Sequence, residues 1–540
     1  MQQPPDPQPS DQQPTDRQPA DAAGSPTTRP APLVVSAHTM AALRDRAAGL
    51  ASHLSAHPAT SHTELATTLA TTRAALPHRA VLTATGTGEA LRLLTALAAG
   101  EPTAGLVTGV AAPAGRTAFV FPGQGSQWVG MAADLLDVPG PFADQLRDCE
   151  AALSGHVDWS LTEVLRGLDP AATIDRVDVV QPVLFAVMVS LAAMWRGDGI
   201  EPDAVVGHSQ GELAAAYVAG ALTLDDAARA VAARSRAVRS LAGRGGMLAM
   251  AVPPAEASKR LEPFGTALTL AVVNGPQSVV VSGGCDAIAE LTAACTADGV
   301  TVRRLPVDYA AHSAQVDEVR EQLYRELGPI RAVSTTVPFY STVTGTLVDT
   351  GTLGADYWVR NLREPVRFHA ATDAMVTAGY RTFVEVSPHP VLTASVEEAL
   401  EEAGEDGIAV GTLRRDQPGP AAYLGALGAL HVTGHPVDWH RHVGDRLVDP
   451  DLPRYPYQRR RCWTYPVLPT DGPGGGLDAT GHPLVPAVLT VADRDEEILS
   501  GTCSAQLQSW LADHVVDGQI LLPGTGFVDL ALSAATRVGC

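Results

Sequence analysis

The sequence predicts an α/β fold in which a smaller unit with ferredoxin-like element order is inserted into a larger one. Three observations carry this prediction. Short apolar runs that read as strands alternate with longer helical periodicities from Leu33 to Val386. The strand Ala204–Val206 runs into the tight turn Gly207-His208-Ser209-Gln210-Gly211 and then a helix to about Ala219. Between Gly246 and Val307 the order is β-α-β-β-α-β, with strands at Met247–Val252, Thr269–Val273, Ser278–Ser282 and Thr301–Arg304. Helices near Ala255–Glu262 and Ala287–Asp298 complete that inserted unit.

Residues 1–30 are rich in Pro, Gln, Asp and Ser and cannot bury enough surface to offset their ordering entropy, so a disordered tail is expected. Residues 31–115 read as a small α/β unit. It has strands at Leu33–Val35 and Ala80–Leu82 and helices at Met40–Leu54, Thr63–Leu76 and Glu89–Ala98. Residues 116–415 open with the strand Thr117–Phe121 and the loop Pro122-Gly123-Gln124-Gly125, which permits close backbone approach. A buried helix is expected over Pro182–Trp195, and the α/β pattern resumes at Val337–Ser341, Phe368–Ala378 and Thr382–Val386. Residues 416–476 mix Pro, Gly and His and read as a linker, closing on a Gly/Pro stretch at Asp471–Gly476. A last segment covers 477–540.

Several function classes are disfavoured by composition. A formal net charge of -21 opposes nucleic-acid binding, which needs a basic surface. The six cysteines lack pairing or ligand spacing, as suits a reducing cytoplasm. Met1 is followed by Gln, Pro and Asp rather than a basic and then an apolar stretch, so no signal peptide is expected, and the run Pro182–Trp195 is expected to be too short to cross a bilayer. A cytoplasmic protein without a membrane partner is expected. His431, His435, His440 and His442 lack Cys or carboxylate partners at ligand spacing, so no metal is assigned.

Ser209 is the strongest chemical signal, because a strand-to-helix turn exposes its oxygen at a helix N-terminus that favours negative charge. A serine nucleophile needs a base. His312 follows the last strand of the inserted unit and could return to the turn, but spacing alone does not single it out among 16 histidines. Arg234 lies about one helix beyond Ser209. With Arg229, Arg236 and Arg239 nearby, its spacing alone favours a solvated helix-face arginine.

A series of segments resolves these choices. In order they are Phe121-Pro122-Gly123-Gln124-Gly125-Ser126-Gln127-Trp128, Gly207-His208-Ser209-Gln210-Gly211-Glu212, Gly245-Gly246-Met247, Val272-Val273-Asn274-Gly275-Pro276, Asp308-Tyr309-Ala310-Ala311-His312-Ser313, Tyr357-Trp358-Val359-Arg360-Asn361-Leu362 and Pro388-His389-Pro390-Val391-Leu392. Together they resemble the acyltransferase domain of a modular type I polyketide synthase. Residues 33–112 resemble the linker domain between ketosynthase and acyltransferase. Tyr455–Trp463 resembles the end of the post-acyltransferase linker, in which the cluster Arg459-Arg460-Arg461 would pack back onto the acyltransferase.

The resemblance implies a hydrolase-like large subdomain and a Ser209–His312 dyad whose imidazole is steadied by backbone carbonyls near Ser387–His389. It implies an oxyanion hole from the N–H groups of Gln124 and Gln210, and a carboxylate clamp at Arg234. The substrate would be an acyl-CoA, and the acceptor the phosphopantetheine of an acyl carrier protein within a synthase that also carries a ketosynthase. No permanently bound cofactor is implied.

The segment Arg176–Gln181, Gln210 and the motif Tyr309-Ala310-Ala311-His312 bear on the extender unit. Gln181, Tyr309 and Ala311 are the expected selectivity positions, and small Ala311 leaves room for an α-methyl, so methylmalonyl is expected. A malonyl or broader-specificity transferase, a GxSxG esterase and a non-catalytic synthase fragment are the alternatives. Finally, His514-Val515-Val516-Asp517-Gly518 with Pro523 resembles the HxxxGxxxxP motif of a dehydratase hot-dog domain. No paired aspartate on a second half is present, so no dehydration is expected from this segment.

Overall fold

The computed structural model describes residues 29–444, 451–459 and 476–540, which fall into two units divided after Tyr457. Residues 1–28 of the expected tail, Arg460, Arg461 and Asp471–Gly475 lie outside the described residues.

The first unit opens with an antiparallel sheet of β1 (Ala31–Ala37), β2 (His78–Ala84) and β3 (Leu106–Val110) in the order β1-β2-β3. Helices Met40–Ala56, His62–Thr72 and Thr87–Ala99 belong to it. Their starts follow local chemistry: the Thr39 side chain accepts from Ala42 N, and Ser61 with Glu64 forms a reciprocal capping box. β3 was not anticipated, because this half-exposed edge strand contains Gly109 and lacks a clean apolar alternation.

The central sheet has six strands. They are β4 (Arg116–Phe121), β5 (Ala204–Gly207), β10 (Phe339–Ser341), β11 (Thr346–Val348), β13 (Tyr380–Glu385) and β14 (Ile408–Gly411). Their order is β11-β10-β5-β4-β13-β14, all parallel except β11. Later strands add to both sides of β4, so the loops after β4, β5 and β13 open onto one crevice at the strand C-termini, where open α/β sheets bind ligands.

Between β5 and β10 the chain builds β6 (Gly245–Met250), β7 (Leu268–Gly275), β8 (Ser278–Gly284) and β9 (Val302–Arg304), with helices Pro254–Leu261 and Cys285–Ala297. The order β7-β8-β6-β9, antiparallel throughout, is the ferredoxin-like arrangement, and β12 (Val366–Arg367) adds in parallel to β7.

Two helices differ from the sequence expectation. The helix expected from Pro182 begins at Val177 and runs to Gly197. Its first turn is anchored by Asp178, which pairs with Arg176 at 2.7 Å and Arg239 at 2.5 Å. It is thus long and apolar enough to cross a membrane, yet 89% of its apolar window is buried within the fold. The expected linker also contains a helix, Gly419–Thr433. Its apolar residues lack a one-sided stripe because it is covered broadly: Leu424, Leu427 and Leu430 join the main core, and Gly428 lies against Val81 of β2. His431 and His435 are buried there.

The second unit carries a small antiparallel sheet of Asp478–Ala479, Ala487–Thr490 and Glu497–Ser500. A tight hairpin joins Val515–Val516 to Gln519–Ile520. Its turn residues Asp517 and Gly518 both have positive φ, as a type I′ turn requires. Pro523 precedes the helix Gly524–Arg537, none of whose residues is buried.

The turn around Ser209 is built on two close approaches. A Cβ on Gly211 would lie 2.0 Å from the Phe121 carbonyl oxygen, and one on Gly207 would lie 2.3 Å from Glu212 N and Cα. Gly211→Ala is therefore expected to cost about 3 kcal/mol or more of stability, measured by denaturant unfolding. Gly284→Ala, whose Cβ would meet nothing within 4 Å, should stay within about 1 kcal/mol of the parent.

Candidate active site

Ser209 sits at φ 55°, an uncommon value for a residue with a side chain, held by the glycine contacts on either side. This conformation projects Oγ into the crevice. His312, also at positive φ (58°), returns from the inserted unit and places Nε2 2.8 Å from Ser209 Oγ. Arg234, from the helix Leu224–Arg239, donates from Nη2 to the same Oγ at 3.0 Å. The structure therefore brings Ser209, His312 and Arg234 together.

The proton arrangement follows from the partners. His312 Nδ1 lies 2.8 Å from the Glu364 carbonyl, which only accepts, so Nδ1 carries the hydrogen and Nε2 presents a lone pair to the serine hydroxyl. This corrects the expected anchor near Ser387–His389. His312 N donates to the Leu362 carbonyl at 3.0 Å, so its ring meets the C-terminal end of the helix Ala355–Arg363, where carbonyls lack helical partners. The Ser387–His389 loop is held elsewhere, with Pro388 O accepting from Trp128 Nε1 at 3.3 Å.

Burial dominates the electrostatics. It pushes the His312 imidazole down to about 3, reinforced by the Arg234 charge. It lowers the Arg234 guanidinium to about 10 and the neighbouring His208 to about 4. His208 Nε2 lies 3.0 Å from Asn274 Oδ1, joining the Ser209 turn to β7 of the inserted unit. Tyr309 is pushed up to about 12 by burial and stays a neutral donor.

The expected selectivity and oxyanion residues touch one another. Gln124 Oε1 accepts from both Tyr309 OH and Gln181 Nε2, the latter at 3.0 Å. The backbone N–H groups of Gln124 and Gln210 find no protein acceptor among the described residues. Ala311 is buried next to His312. A cavity of about 340 Å³ adjoins this cluster, lined by Gln124, Asp175, Val177, Arg304, Asp308 and Tyr309.

Two further residues complete the site. Asn361 donates to the Ser209 carbonyl at 3.1 Å and accepts from Arg234 Nη1 at 3.0 Å. Glu212, fully buried, accepts from Asn361 Nδ2 at 2.9 Å and from Tyr357 OH at 2.6 Å. Both lie in segments singled out in the sequence, but spacing does not separate a buried acid from a solvated one. His514 lies in the other unit, exposed, with Nδ1 2.9 Å from the Leu521 carbonyl.

Fold and site together define an acyl transferase: residues 118–437, more than half of the chain, match the family model for the acyl transferase domain. The chain belongs to the acyltransferase domains of modular polyketide synthases. Residues 482–540 match the polyketide synthase dehydratase domain, and residues 31–94 the CurL-like, PKS C-terminal family.

The chain is 50% identical to the spectinabilin polyketide synthase system protein NorA' of Streptomyces orinoci, over 95% of this chain and 14% of that protein. It is 44% identical to the erythronolide synthase EryA2 of Saccharopolyspora erythraea, over 94% and 14%. The chain thus spans only about a seventh of either relative. Among solved structures, the acyltransferase domain from module 8 of the salinomycin polyketide synthase is 47% identical at a TM-score of 0.73. That match covers 77% of this chain and 99% of that one. The acyltransferase domain of SpnD, in complex with 2-(pent-4-yn-1-yl)malonyl, is 30% identical at a TM-score of 0.68, over 78% and 98%.

With His312 held down to about 3, its neutral form persists through the range where an ordinary imidazole, near 6.5, takes up a proton. Labelling of Ser209 by a fluorophosphonate is therefore expected to keep most of its pH 7.5 rate at pH 5.5. A half-loss near pH 6.5 would contradict this assignment.

Proposed function

We propose that the chain moves a methylmalonyl unit from CoA to the phosphopantetheine thiol of an acyl carrier protein, through a seryl acyl-enzyme on Ser209. The observation that carries this reading is a buried arginine donating to the nucleophile itself. A guanidinium fork there suits an acyl group that ends in a free carboxylate, held bidentately.

In the first half-reaction His312 Nε2 takes the proton as Ser209 Oγ attacks the thioester carbonyl. The backbone N–H groups of Gln124 and Gln210 receive the negative charge on the former carbonyl oxygen. Collapse expels the CoA sulfur, which takes the proton back from Nε2. In the second half the carrier thiol gives its proton to Nε2 and attacks the seryl ester, and Ser209 leaves with that proton. Arriving substrate exchanges its carboxylate for the Arg234–Ser209 bond. Pairing also offsets the charge that depresses His312, making the imidazole a stronger base when substrate is in place.

Selection of the α-substituent falls to Gln181, Tyr309 and Ala311. A methyl side chain at 311 leaves space for an α-methyl group. The complex of SpnD with a 2-substituted malonyl fits a carboxylated class of unit. The domain matches on both sides support a place among other synthase domains, with ketosynthase and carrier protein as partners.

Incubation with methylmalonyl-CoA followed by intact mass measurement is expected to show one methylmalonyl adduct, lost in Ser209→Ala. In Arg234→Ala the adduct should form about 100-fold more slowly, while labelling by an uncarboxylated acyl-CoA changes little. Equal labelling of the parent by both acyl-CoAs, with steady hydrolysis, would identify an esterase. Ala311→Phe is expected to lower kcat/KM for methylmalonyl-CoA relative to malonyl-CoA by about 10–100-fold.

A further inference from the structure

The transfer chemistry leaves one buried charge unused. Glu212 lies in the first turn of the helix Gly211–Val218, three residues past the nucleophile, and is fully enclosed. Four donors converge on its two oxygens. Oε1 accepts from Thr342 N at 2.5 Å and Thr342 Oγ1 at 2.7 Å, and Oε2 accepts from Tyr357 OH at 2.6 Å and Asn361 Nδ2 at 2.9 Å. Tyr357 OH and Thr342 Oγ1 also face Ser341 Oγ at 2.6 Å and the Gly207 carbonyl at 3.1 Å, but Thr342 N and Asn361 Nδ2 can only donate, one to each oxygen, and this favours the carboxylate against the burial that raises its pKa.

This arrangement fixes the amide of Asn361. Its two Nδ2 hydrogens go to Glu212 Oε2 and to the Ser209 carbonyl, so Oδ1 is left facing Arg234 Nη1 at 3.0 Å. Arg234 is itself only 5% exposed and makes no ion pair among the described residues. A buried guanidinium without compensation is costly, yet a carboxylate in direct contact would occupy the fork that a substrate needs.

We propose that Glu212 is the counter-charge of Arg234, held one amide away, and that Asn361 is the positioning residue that transmits it. The separation keeps Arg234 charged and oriented in a dry site while leaving Nη2 and the unpartnered Nε to receive a substrate carboxylate as a fork. Glu212 touches neither substrate nor reacting atom. Its effect is on the selectivity for carboxylated acyl groups, exerted through the orientation of Asn361. The inference rests on the reading that Arg234 receives the substrate carboxylate.

The test moves the negative charge by one residue without changing the core's net charge, in the double variant Glu212→Gln with Asn361→Asp. The protein is expected to fold, judged by circular dichroism and thermal unfolding. Because the fork is then neutralised by direct contact, KM for methylmalonyl-CoA should rise about tenfold or more, and the ratio of methylmalonyl-CoA to propionyl-CoA kcat/KM should fall about fivefold or more. Asn361→Ala provides a second test, because it leaves Glu212 three of its donors but removes the link to Arg234. It should lower the ratio of methylmalonyl-CoA to propionyl-CoA kcat/KM by about fivefold or more. A folded variant of either kind that keeps the parent ratio overturns the proposal. If the double variant does not fold, Asn361→Ala alone decides. A parent protein with no preference for the carboxylated substrate would instead refute the reading of Arg234, an outcome visible before any variant is made.

Discussion

The site depends first on a backbone contact: Gly211 pressed against the carbonyl of Phe121. That approach ties the end of β4 to the start of the helix after β5, and His208 N reinforces it by donating to Phe121 O at 2.8 Å. Two loops that are more than eighty residues apart in sequence are thereby held as one piece. One carries Gln124 and the other carries Ser209 and Gln210. The positive φ of Ser209 is a cost that this piece imposes, and the surrounding contacts sustain it. Geometry of this kind cannot be supplied by side chains alone, because a Cβ at Gly211 would drive the two loops apart and one at Gly207 would press on the start of the helix that follows it.

On that frame the chemistry is arranged by burial. Arg234, His312 and Glu212 are each less than a tenth exposed, so their mutual distances matter far more than they would in water. Burial keeps His312 neutral, its tautomer is set by Glu364 O, and its lone pair is aimed at the serine. Arg234 is spared a direct carboxylate and meets only neutral acceptors, Ser209 Oγ and Asn361 Oδ1. A site of this design is preorganised, since the hydrogen bonds exist before substrate arrives and need not be assembled during reaction.

Much of this was legible in the sequence where a local rule was strict. The turn at Ser209 and the β-α-β-β-α-β unit follow from periodicity and glycine placement, and both are present with strand ends displaced by only a few residues. The choice of His312 and Arg234 came from the ordered series of segments, because sixteen histidines and a cluster of helix arginines offered no local criterion. What was missed is long-range. The anchor at Glu364 is a backbone carbonyl, which carries no residue signature. Asn361 gains its contacts to the site only where its helix end meets the Ser209 turn. The helix Gly419–Thr433 lacked an apolar stripe because neighbours cover more than one of its faces.

The arrangement around Gln124 has a consequence for how selectivity and rate are linked. Its side chain is fixed by Tyr309 and Gln181, two expected selectivity residues that come from a loop after β9 and from the helix Val177–Gly197. Its backbone N–H is the group assigned to the developing oxyanion. On the proposed function, a change at Tyr309 or Gln181 made to alter selectivity would also loosen the loop that carries the proposed oxyanion donor. Ala311 stands apart, because its buried methyl group takes no part in that hydrogen-bond network. Of the three proposed selectivity positions, 311 is the one at which side-chain size can vary while the loop carrying Gln124 keeps its tethers.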